Sequence, residues 1–333
     1  MNSHDKWAIG MDLGGTKINA ALVSEAGKVS SRLRRSSHVD GGAEAIGRQL
    51  VEMIAELRSA HEDLSVEGVG IGVAGQVDEA DGSVRFAPNL GWHDVPLQSQ
   101  LEERLDLPVT VTNDVRAATW GEWLHGAGKD SDDFVCLFVG TGVGGGVVSG
   151  GRLLTGCSNT AGELGHITVE FNGPACRCKN RGCLEALASG WAIAQRAQEA
   201  IAADPDSAKA LLQLAKNKVA NVTGRTVTQA YREHDPLACR IIEGVSHALG
   251  AGAVSLINAF NPQRFILGGG VIGALPELVS QVDQYVRTRA LKAAVEPLEV
   301  MPAKLKEDAG SIGAAALVHR VFEGKEVASC VSA

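Results

Sequence analysis

Three of the chain's seven cysteines, Cys176, Cys178 and Cys183, lie within the segment CRCKNRGCLE, and Glu185 follows closely. Closely spaced thiols can bind a metal ion, perform redox chemistry or form disulfides. The C-x-x-C spacing of redox motifs does not occur in the sequence. A cytoplasmic protein keeps its thiols reduced, so in that compartment such a cluster more often binds metal.

Three glycine clusters could bring backbone amides close to phosphate groups, because glycine permits positive φ and close approach. They are DLGGTK (Asp12–Lys17), GTGVGGG (Gly140–Gly146) and LGGGVIG (Leu267–Gly273). The middle cluster contains G-x-G-x-x-G, but a strand is predicted after it, where a dinucleotide site needs a helix. A Walker loop is excluded, since no Gly-Lys pair precedes Ser or Thr.

The first glycine cluster follows an acid. Asp12 can hold Mg²⁺, and the turn amides with Thr16 and Lys17 can meet the terminal phosphates of a nucleotide, as phosphoryl transfer requires. A plain hairpin turn would explain the same residues. The other two glycine clusters, at residues 140 and 267, favour the phosphate interpretation.

Asn113 and Asp114 follow the apolar strand PVTVT and precede a helix. Asp114 is placed to cap that helix, which is the simplest explanation of an acid at this position. The carboxyl ends of strands are also where α/β proteins build their sites. Both interpretations stay open on the residues alone.

Apolar runs alternate with helical patterns along the chain, which predicts an α/β fold. Strand, glycine turn and strand occur twice, with Gly14 aligned on Gly142. This repeat indicates two related lobes facing each other across a cleft, although glycine-rich strands can resemble one another by chance. We place residues 1–120 in an N-terminal lobe and 121–307 in a C-terminal lobe. The last helix, at about 308–323, can return to the N-terminal lobe.

The bulk properties exclude several classes of protein. The formal net charge of −8 argues against a nucleic-acid partner. The N-terminus has no apolar leader, and the stretch LGAGAVSLINAF is too short to cross a bilayer. We therefore expect a cytoplasmic protein without a membrane partner.

With these motifs in hand, the chain resembles the ROK family (repressors, open reading frames, kinases) of the actin-like ATPase and sugar-kinase superfamily. DLGGTK and GTGVGGG look like its two phosphate motifs, and ILGGG is similar to its adenosine-side motif. The segment GELGHITVEFNGPACRCKNRGCLE looks like the family signature with its zinc loop. The resemblance runs from about residue 7 to residue 318. It implies two actin-like (ribonuclease H-like) lobes with a nucleotide and sugar cleft between them.

The resemblance also implies an activity, which is ATP- and Mg²⁺-dependent phosphorylation of the 6-hydroxyl of glucose. Kinases of N-acetylmannosamine or N-acetylglucosamine use nearly the same residues and are the alternative, and polyphosphate is an alternative donor. A sugar sensor or repressor would be a different class. The first motif, at residue 12, leaves no room for the helix-turn-helix domain of such repressors. An actin- or chaperone-like ATPase would lack the zinc loop. The family suggests a homodimer or homotetramer.

The family pattern assigns a role to each residue singled out above. His166, Cys176, Cys178 and Cys183 would be the ligands of a structural Zn²⁺, a closed tetrahedral site. Asp114 would be the catalytic base. The expected sugar-binding residues are Gly75, Asn89, Asn113, Asp114, Glu163, His166 and Glu185. The expected nucleotide-binding residues are Asp12, Gly14, Gly15, Thr16, Lys17, Gly140, Thr141, Gly142, Gly144, Gly268, Gly269 and Gly270.

One position departs from the family pattern. Lys179 stands where the family commonly has glycine, directly after the second cysteine of the zinc loop. We therefore expect the turn of that loop to differ in shape while its ligands stay intact.

Overall fold

The structure is a computed structural model that describes residues 6–205 and 208–322. Cys330 and residue 323, the predicted end of the last helix, lie outside the described residues. The described residues form two compact units. The first comprises the described parts of Met1–Asp130, Arg152–Gly162 and Lys304–Ala333, and the second those of Ser131–Gly151 and Glu163–Ala303.

The strands and helices alternate along the chain, which confirms the predicted α/β class. Up to residue 130 they are β1 (Trp7–Leu13), β2 (Lys17–Ser24), β3 (Val29–Ser36), α1 (Gly42–Ser59), β4 (Val66–Val73), β5 (Gln76–Asp78), β6 (Ser83–Ala87), β7 (Trp92–Val95), α2 (Leu97–Glu102), β8 (Val109–Asn113) and α3 (Asp114–His125). Then follow β9 (Phe134–Val139), β10 (Val143–Ser149), β11 (Arg152–Leu153), α4 (Leu184–Ala188), α5 (Gly190–Ala203), α6 (Lys209–Leu214), α7 (Gly224–Arg232), α8 (Pro236–Phe260), β12 (Arg264–Gly268), α9 (Gly270–Ala274), α10 (Glu277–Arg289), α11 (Lys292–Val295), β13 (Glu299–Pro302) and α12 (Ala309–Phe322).

The two units repeat one sheet topology. In the first, the strand order is β3-β2-β1-β4-β8, with β1 antiparallel to β2 and parallel to β4. In the second unit the strands β10-β9-β12-β13 follow the same order, with β9 antiparallel to β10 and parallel to β12. The first strand therefore forms a hairpin on one side and a parallel pair on the other, and the predicted ribonuclease H-like topology is confirmed.

The turn between β1 and β2 aligns with the turn between β9 and β10 differently from the prediction. β1 ends at Leu13 and β9 ends at Val139, so Gly14 corresponds to Gly140 and not to Gly142. The turn between the second pair of strands is one residue shorter, because Leu13 pairs with Ile18 whereas Val139 pairs with Val143. A one-residue difference in a glycine-rich turn cannot be located from sequence alone.

Helix α12 lies directly on the central strands of the first unit. A Cβ added to Gly10 in β1 would lie 1.8 Å from the carbonyl oxygen of Ser311, and one added to Gly70 in β4 would lie 1.8 Å from that of Ala314. Only glycine permits a helix backbone to approach two strands this closely. The last described helix thus belongs to the first unit.

The boundary after the first unit falls at Asp130, beyond the expected position near residue 120. The reason is the packing of α3 on α12: a Cβ on Gly121 would lie 2.7 Å from the Ala309 carbonyl, and one on Gly313 would lie 1.7 Å from the Ala117 carbonyl. The whole of α3 is therefore held in the first unit.

A buried carboxylate secures the chain near this boundary. Glu122 of α3 is fully buried. Its Oε2 accepts hydrogen bonds from the backbone N–H of Ala127 at 2.6 Å and of Lys304 at 3.1 Å, and its Oε1 accepts one from Leu305 at 2.8 Å. Glu122 thus joins two segments of the first unit that are far apart in sequence.

One helix of the described residues is long and apolar enough to cross a membrane by length and composition. This helix is α8, with 25 residues, of which the most apolar window is 61% buried inside the protein. The expectation of too short a segment rested on the stretch LGAGAVSLINAF alone, but the helix begins thirteen residues before that stretch, at Pro236, with Asp235 as its N-cap. Burial against the second unit's other helices identifies α8 as a core helix.

Candidate active site and metal centre

The carboxyl ends of three parallel strands meet at one edge of the first unit. Leu13 of β1 is in register with Val73 of β4, which is in register with Asn113 of β8. The backbone N–H of Ala74 also donates to the Leu13 carbonyl at 3.0 Å. Asp12, Gly14, Gly75, Asn113 and Asp114 lie at these positions or within two residues of them, so the sheet brings them to one edge.

Asp12 is held by its neighbour across the hairpin. Asn19 lies directly opposite Asp12 in the β1–β2 register, and its Nδ2 donates to Asp12 Oδ2 at 3.0 Å. Burial raises the pKa of the Asp12 carboxyl above its ordinary value, against the Asn19 hydrogen bond and the charge of Lys17, which lower it. A cation beside Asp12 would favour its ionised form.

The turn after Asp12 is fixed on both sides. The N–H of Gly14 donates to the Lys17 carbonyl at 3.0 Å, and the Ser37 hydroxyl donates to the Gly14 carbonyl at 2.6 Å. A Cβ on Gly15 would lie 2.6 Å from the Asn89 carbonyl oxygen. The predicted phosphate turn and the predicted sugar residue Asn89 are therefore neighbours, and Thr16 of this turn is exposed.

Asn113 joins two further predicted residues. Its Nδ2 donates to the Gly75 carbonyl at 3.0 Å and to Asp114 Oδ1 at 3.1 Å. Its Oδ1 accepts from the backbone N–H of Val115 and Arg116. The N-cap of α3 is thus Asn113, and the prediction that Asp114 caps this helix was wrong. Because Asn113 is the N-cap, Asp114 is the first residue of the helix, and its half-buried side chain lies beside that of Asn113.

The second and third glycine clusters meet in the second unit. Gly269 has φ +89°, and a Cβ on it would lie 2.5 Å from the Val139 carbonyl oxygen, at the end of β9. Gly268 lies in register with Phe138, the residue before Val139. By contrast, added Cβ atoms on Gly140 and Gly270 would meet nothing within 4 Å. The two turns therefore support each other and leave room beside their backbones.

Glu185 contacts the turn between β9 and β10, the second predicted phosphate turn, directly. Its Oε2 accepts from the backbone N–H of Val143 at 3.0 Å and lies 2.6 Å from the position of a Cβ on Gly142. Its Oε1 accepts from Trp191 Nε1 at 3.3 Å. The carboxylate expected to bind sugar is thus oriented by the turn between β9 and β10.

Glu163 and His166 are brought to the same place by a tight turn. Leu164–His166 form a single 3₁₀ turn that begins after the exposed Glu163. A Cβ on Gly165 would lie 2.0 Å from the Val143 carbonyl oxygen, so this turn packs on the start of β10. Gly144 lies in that strand, so the 3₁₀ turn that carries His166 and the Glu185 carboxylate both contact β10 at its start.

The four predicted metal ligands form a cluster. The ligand atoms of His166, Cys176, Cys178 and Cys183 all lie within 4.8 Å of one another. Cys176 Sγ is 3.7 Å from His166 Nδ1, and Cys178 Sγ is 3.6 Å from Cys183 Sγ. Tetrahedral Zn²⁺ with bonds of about 2.0–2.3 Å separates its ligands by roughly 3.5–3.8 Å. The distances match this geometry and are too long for a disulfide.

The chemistry of the thiols also suits a cation. Burial, with hydrogen bonds from its neighbours Cys178 and Cys176, raises the pKa of the Cys183 thiol to about 12. Three thiolates so close together need a compensating positive charge, which Zn²⁺ supplies. The donor set therefore fits zinc.

Lys179, directly after the second ligand cysteine, has a left-handed backbone conformation, and the expected difference in the shape of this turn stays a prediction. It has φ +76°, in the left-handed region that favours glycine. Its N–H donates to the Cys176 carbonyl at 3.0 Å and closes the turn between the ligands. The lysine adopts the conformation that glycine would adopt more easily.

Several residues of the site carry no motif and were missed. Asn19 could have been found from the hairpin register, since it lies opposite Asp12. Ser37 and Trp191 have no such signal, because their contacts depend on tertiary packing. Arg177 lies between two ligand cysteines and stacks on the Trp191 ring with 4.5 Å from its guanidinium carbon to the ring centroid.

Comparisons with known proteins agree with this geometry. The model of the ROK family matches residues 8–321. The chain is 39% identical over 317 residues to a glucokinase of Thermotoga maritima, covering 95% of this chain and 98% of that protein. It is 28% identical to the xylose repressor of Bacillus subtilis, covering 95% of this chain and 78% of the repressor.

A solved structure is similar across nearly the whole chain. It is a ROK family glucokinase from Streptomyces griseus in complex with glucose and AMPPNP, with a TM-score of 0.82 and 37% identity, and the match covers 94% of this chain and 99% of that one. The repeated sheet topology, the order of the motifs and the family match over residues 8–321 lead to one conclusion: this chain belongs to the ROK family.

Proposed function

We propose that the protein is a hexose kinase that transfers the γ-phosphoryl group of ATP to the 6-hydroxyl of glucose. The observation that carries this proposal is the shared strand edge of the first unit, where the turn after Asp12 and the pair Asn113–Asp114 lie at neighbouring strand ends. Phosphate-binding amides and a carboxylate at one edge are the parts that phosphoryl transfer to an alcohol needs. The glucokinases among its relatives support glucose as the acceptor.

In this proposal Asp114 is the catalytic base. Its carboxylate accepts the proton of the sugar 6-hydroxyl as that oxygen attacks the γ-phosphorus and the bond to the leaving ADP oxygen breaks. Asn113 orients Asp114 through the 3.1 Å hydrogen bond and positions Gly75 through its other contact. A general base of this kind contributes about 10²–10⁴-fold to the rate, and positioning and charge neutralisation contribute the rest.

The second unit supplies the groups proposed to bind sugar hydroxyls. Glu163 and Glu185 accept hydrogen bonds from them. His166 has Nδ1 directed toward the Cys176 thiol, which leaves Nε2 to donate to the sugar. Gly75 and Asn89 of the first unit are also proposed to bind sugar.

The nucleotide is proposed to bind at the three glycine turns. Asp12 and the amides of Gly14–Lys17, with those of Gly140–Gly142 and Gly144, would face the phosphates, and Gly268–Gly270 the adenosine side. Asp12 would hold Mg²⁺, which supplies charge neutralisation at the terminal phosphates.

The metal centre is proposed to be structural. Zn²⁺ held by His166, Cys176, Cys178 and Cys183 would be four-coordinate with no open position for a substrate. Its chemistry is to fix the loop that carries Glu185, two residues beyond the last ligand. Metal analysis of the purified protein should find one zinc per chain, and Cys178→Ser should remove it. A full zinc content in that variant would contradict the ligand assignment.

The remaining assignments follow from the family. We propose a cytoplasmic homodimer or homotetramer that takes a sugar, and neither nucleic acid nor a membrane, as its partner. N-acetylmannosamine and N-acetylglucosamine are the alternative acceptors, and sugar-responsive repression is the alternative from another class, because the relatives include a xylose repressor.

The test is an ADP-release assay with ATP, Mg²⁺ and a sugar panel of glucose, mannose, fructose, N-acetylglucosamine and N-acetylmannosamine. Glucose should give the highest kcat/KM, and phosphorus NMR should identify the product as the 6-phosphate. Preference for an N-acetyl sugar would change the acceptor and keep the mechanism. Sugar binding without turnover, from folded protein containing zinc, would favour the sensor and refute the kinase. Replacing ATP with polyphosphate in the same assay tests the donor.

A further inference from the structure

We propose that Trp191 is a positioning residue of the sugar site, because its indole N–H holds the Glu185 carboxylate in its binding orientation. This inference rests on the proposed hexose kinase activity and adds to it a residue that no motif assigns. The contacts that support it lie within the second unit.

The two oxygens of Glu185 are held from two directions. Oε2 accepts from the backbone N–H of Val143 at 3.0 Å, and Oε1 accepts from Trp191 Nε1 at 3.3 Å. A carboxylate offers about four acceptor positions, so both oxygens keep capacity for sugar hydroxyls. Glutamate on its own has several rotamers, and the two donors select one of them. A binding group fixed in advance loses less entropy when the ligand arrives.

Trp191 can fix Glu185 because its own position is fixed. Its backbone N–H donates to the Thr141 carbonyl at 3.3 Å, and the N–H of Gly190 before it donates to the Gly140 carbonyl at 2.8 Å. The phosphate turn therefore anchors the start of α5.

The indole ring also contacts the metal loop. The guanidinium carbon of Arg177 lies 4.5 Å from the ring centroid, a cation–π contact, and Arg177 lies between the ligands Cys176 and Cys178. The ring also packs against the buried cluster of Cys176, Cys183 and Ala186. The donor that faces Glu185 is thus placed by the phosphate turn and by the metal loop together.

The expected effect of losing this donor is selective. Direct loss of a hydrogen bond to a charged group changes an equilibrium constant by about tenfold or more, and a bond as long as 3.3 Å that acts on the sugar only through Glu185 changes it by less. We expect Trp191→Phe to raise the KM for glucose by about 3- to 10-fold. The kcat should stay within about twofold, because the proposed base and its contacts lie in the other unit.

Two variants separate the hydrogen bond from the packing of the ring. Trp191→Phe keeps an aromatic ring under Arg177 and removes the N–H. Trp191→His loses the larger ring but, as the neutral imidazole at pH 8, can present Nε2–H at the ring position of the indole N–H. Trp123→Phe in α3 is the matched control, a half-buried tryptophan of the first unit. Thermal melting establishes that each variant is folded, and kcat and KM are then measured for glucose and ATP.

The proposal expects the glucose KM of Trp191→Phe to rise above those of wild type, Trp191→His and Trp123→Phe. In a Glu185→Ala background, Trp191→Phe should change the glucose dissociation constant, measured by calorimetry, by less than about twofold, because no carboxylate remains to be held. An unchanged glucose KM in folded Trp191→Phe overturns the proposal, and so does an equal rise in Trp191→Phe and Trp191→His. If Trp191→Phe does not fold, the test depends on folded Trp191→His. A glucose KM of that variant raised beyond about tenfold overturns the proposal, and a glucose KM near that of wild type supports it. Wild-type enzyme without glucose turnover would contradict the kinase proposal instead.

Discussion

A methyl group at position 142 is expected to weaken sugar binding without unfolding the protein. An added Cβ on Gly142 lies 2.6 Å from Glu185 Oε2, where ordinary contact begins at 3.4 Å. The carboxylate must therefore move by about 0.8 Å. The same oxygen accepts from the Val143 N–H at 3.0 Å, so the movement breaks that hydrogen bond.

The expected changes in stability and in the KM for glucose follow from the displaced Glu185 side chain and from its lost hydrogen bond. The displaced atom is the far end of a flexible side chain, so we expect Gly142→Ala to cost less than about 1 kcal/mol of the free energy of unfolding. Loss of a hydrogen bond to a charged group costs about 1.5–3 kcal/mol in the site. This corresponds to a rise of roughly 10- to 100-fold in the KM for glucose.

The assay is the coupled ADP-release measurement, with KM determined separately for glucose and for ATP. Gly140→Ala is the matched variant in the same turn, because its added Cβ meets nothing within 4 Å. Its methyl group occupies the side proposed for phosphate, so it should raise the KM for ATP and leave that for glucose unchanged. A wild-type glucose KM in Gly142→Ala, or the same pattern in both variants, would refute this reasoning.

Three further substitutions test the structure at other points. Lys179→Gly should leave the melting temperature unchanged or raise it, since relief of a left-handed lysine (about 1–2 kcal/mol) exceeds or equals the entropic cost of glycine (about 0.5–1 kcal/mol). Asp12→Asn should abolish glucose phosphorylation, and at pH 8 without ligands it should raise the melting temperature. Burial raises the folded-state pKa of Asp12, so the ionised carboxylate lowers the free energy of unfolding at high pH. The increase in melting temperature caused by Asp12→Asn should therefore become smaller as the pH falls and wild-type Asp12 becomes protonated. Glu122→Gln should lower the free energy of unfolding by about 2–4 kcal/mol, because its amide NH₂ must face at least one of three backbone N–H groups.

Each of these substitutions has an outcome that contradicts its reasoning. For Lys179→Gly it is a melting temperature lowered by several degrees. For Asp12→Asn it is either retained phosphorylation or a stability difference that grows as the pH falls. For Glu122→Gln it is a stability equal to that of Glu103→Gln, which changes an exposed glutamate.

Strong periodic segments were predictable from sequence. The ends of helix α8 are marked in the sequence, because Asp235 and Pro236 are typical of a helix start and Asn261, in a left-handed conformation, ends the helix. The hairpin of β1 and β2 was predictable because apolar strands flank a glycine turn. The metal ligands were predicted from the family pattern, and the structure brings all four together.

Elements without a strong pattern were not predicted. Strand β3 has three arginines and three serines among its eight residues, as an edge strand paired only with β2 tolerates. The small sheet β5-β6-β7 consists of strands of three to five residues, too short for a clear alternation. The end of the first unit depends on glycine contacts between α3 and α12, which are distant in sequence.

In the candidate site, too, some features were predictable from the sequence and others were not. Chemistry carried by a residue type at a characteristic spacing, as in the glycine turns, was predictable. The contacts that orient those residues were not, since the cap provided by Asn113 and the hydrogen bond from Trp191 depend on the packed backbone.

The most direct test of the account is glucose-dependent phosphoryl transfer by wild type and by Asp114→Asn, with Asp106→Asn as an exposed control in the same unit. We predict that Asp114→Asn lowers kcat by about 10²–10⁴-fold and still binds glucose in calorimetry, while Asp106→Asn behaves as wild type. Turnover of Asp114→Asn at the wild-type rate would contradict the assignment of Asp114 as the base. Wild-type protein that is folded and contains zinc, yet phosphorylates no sugar, would contradict the account as a whole.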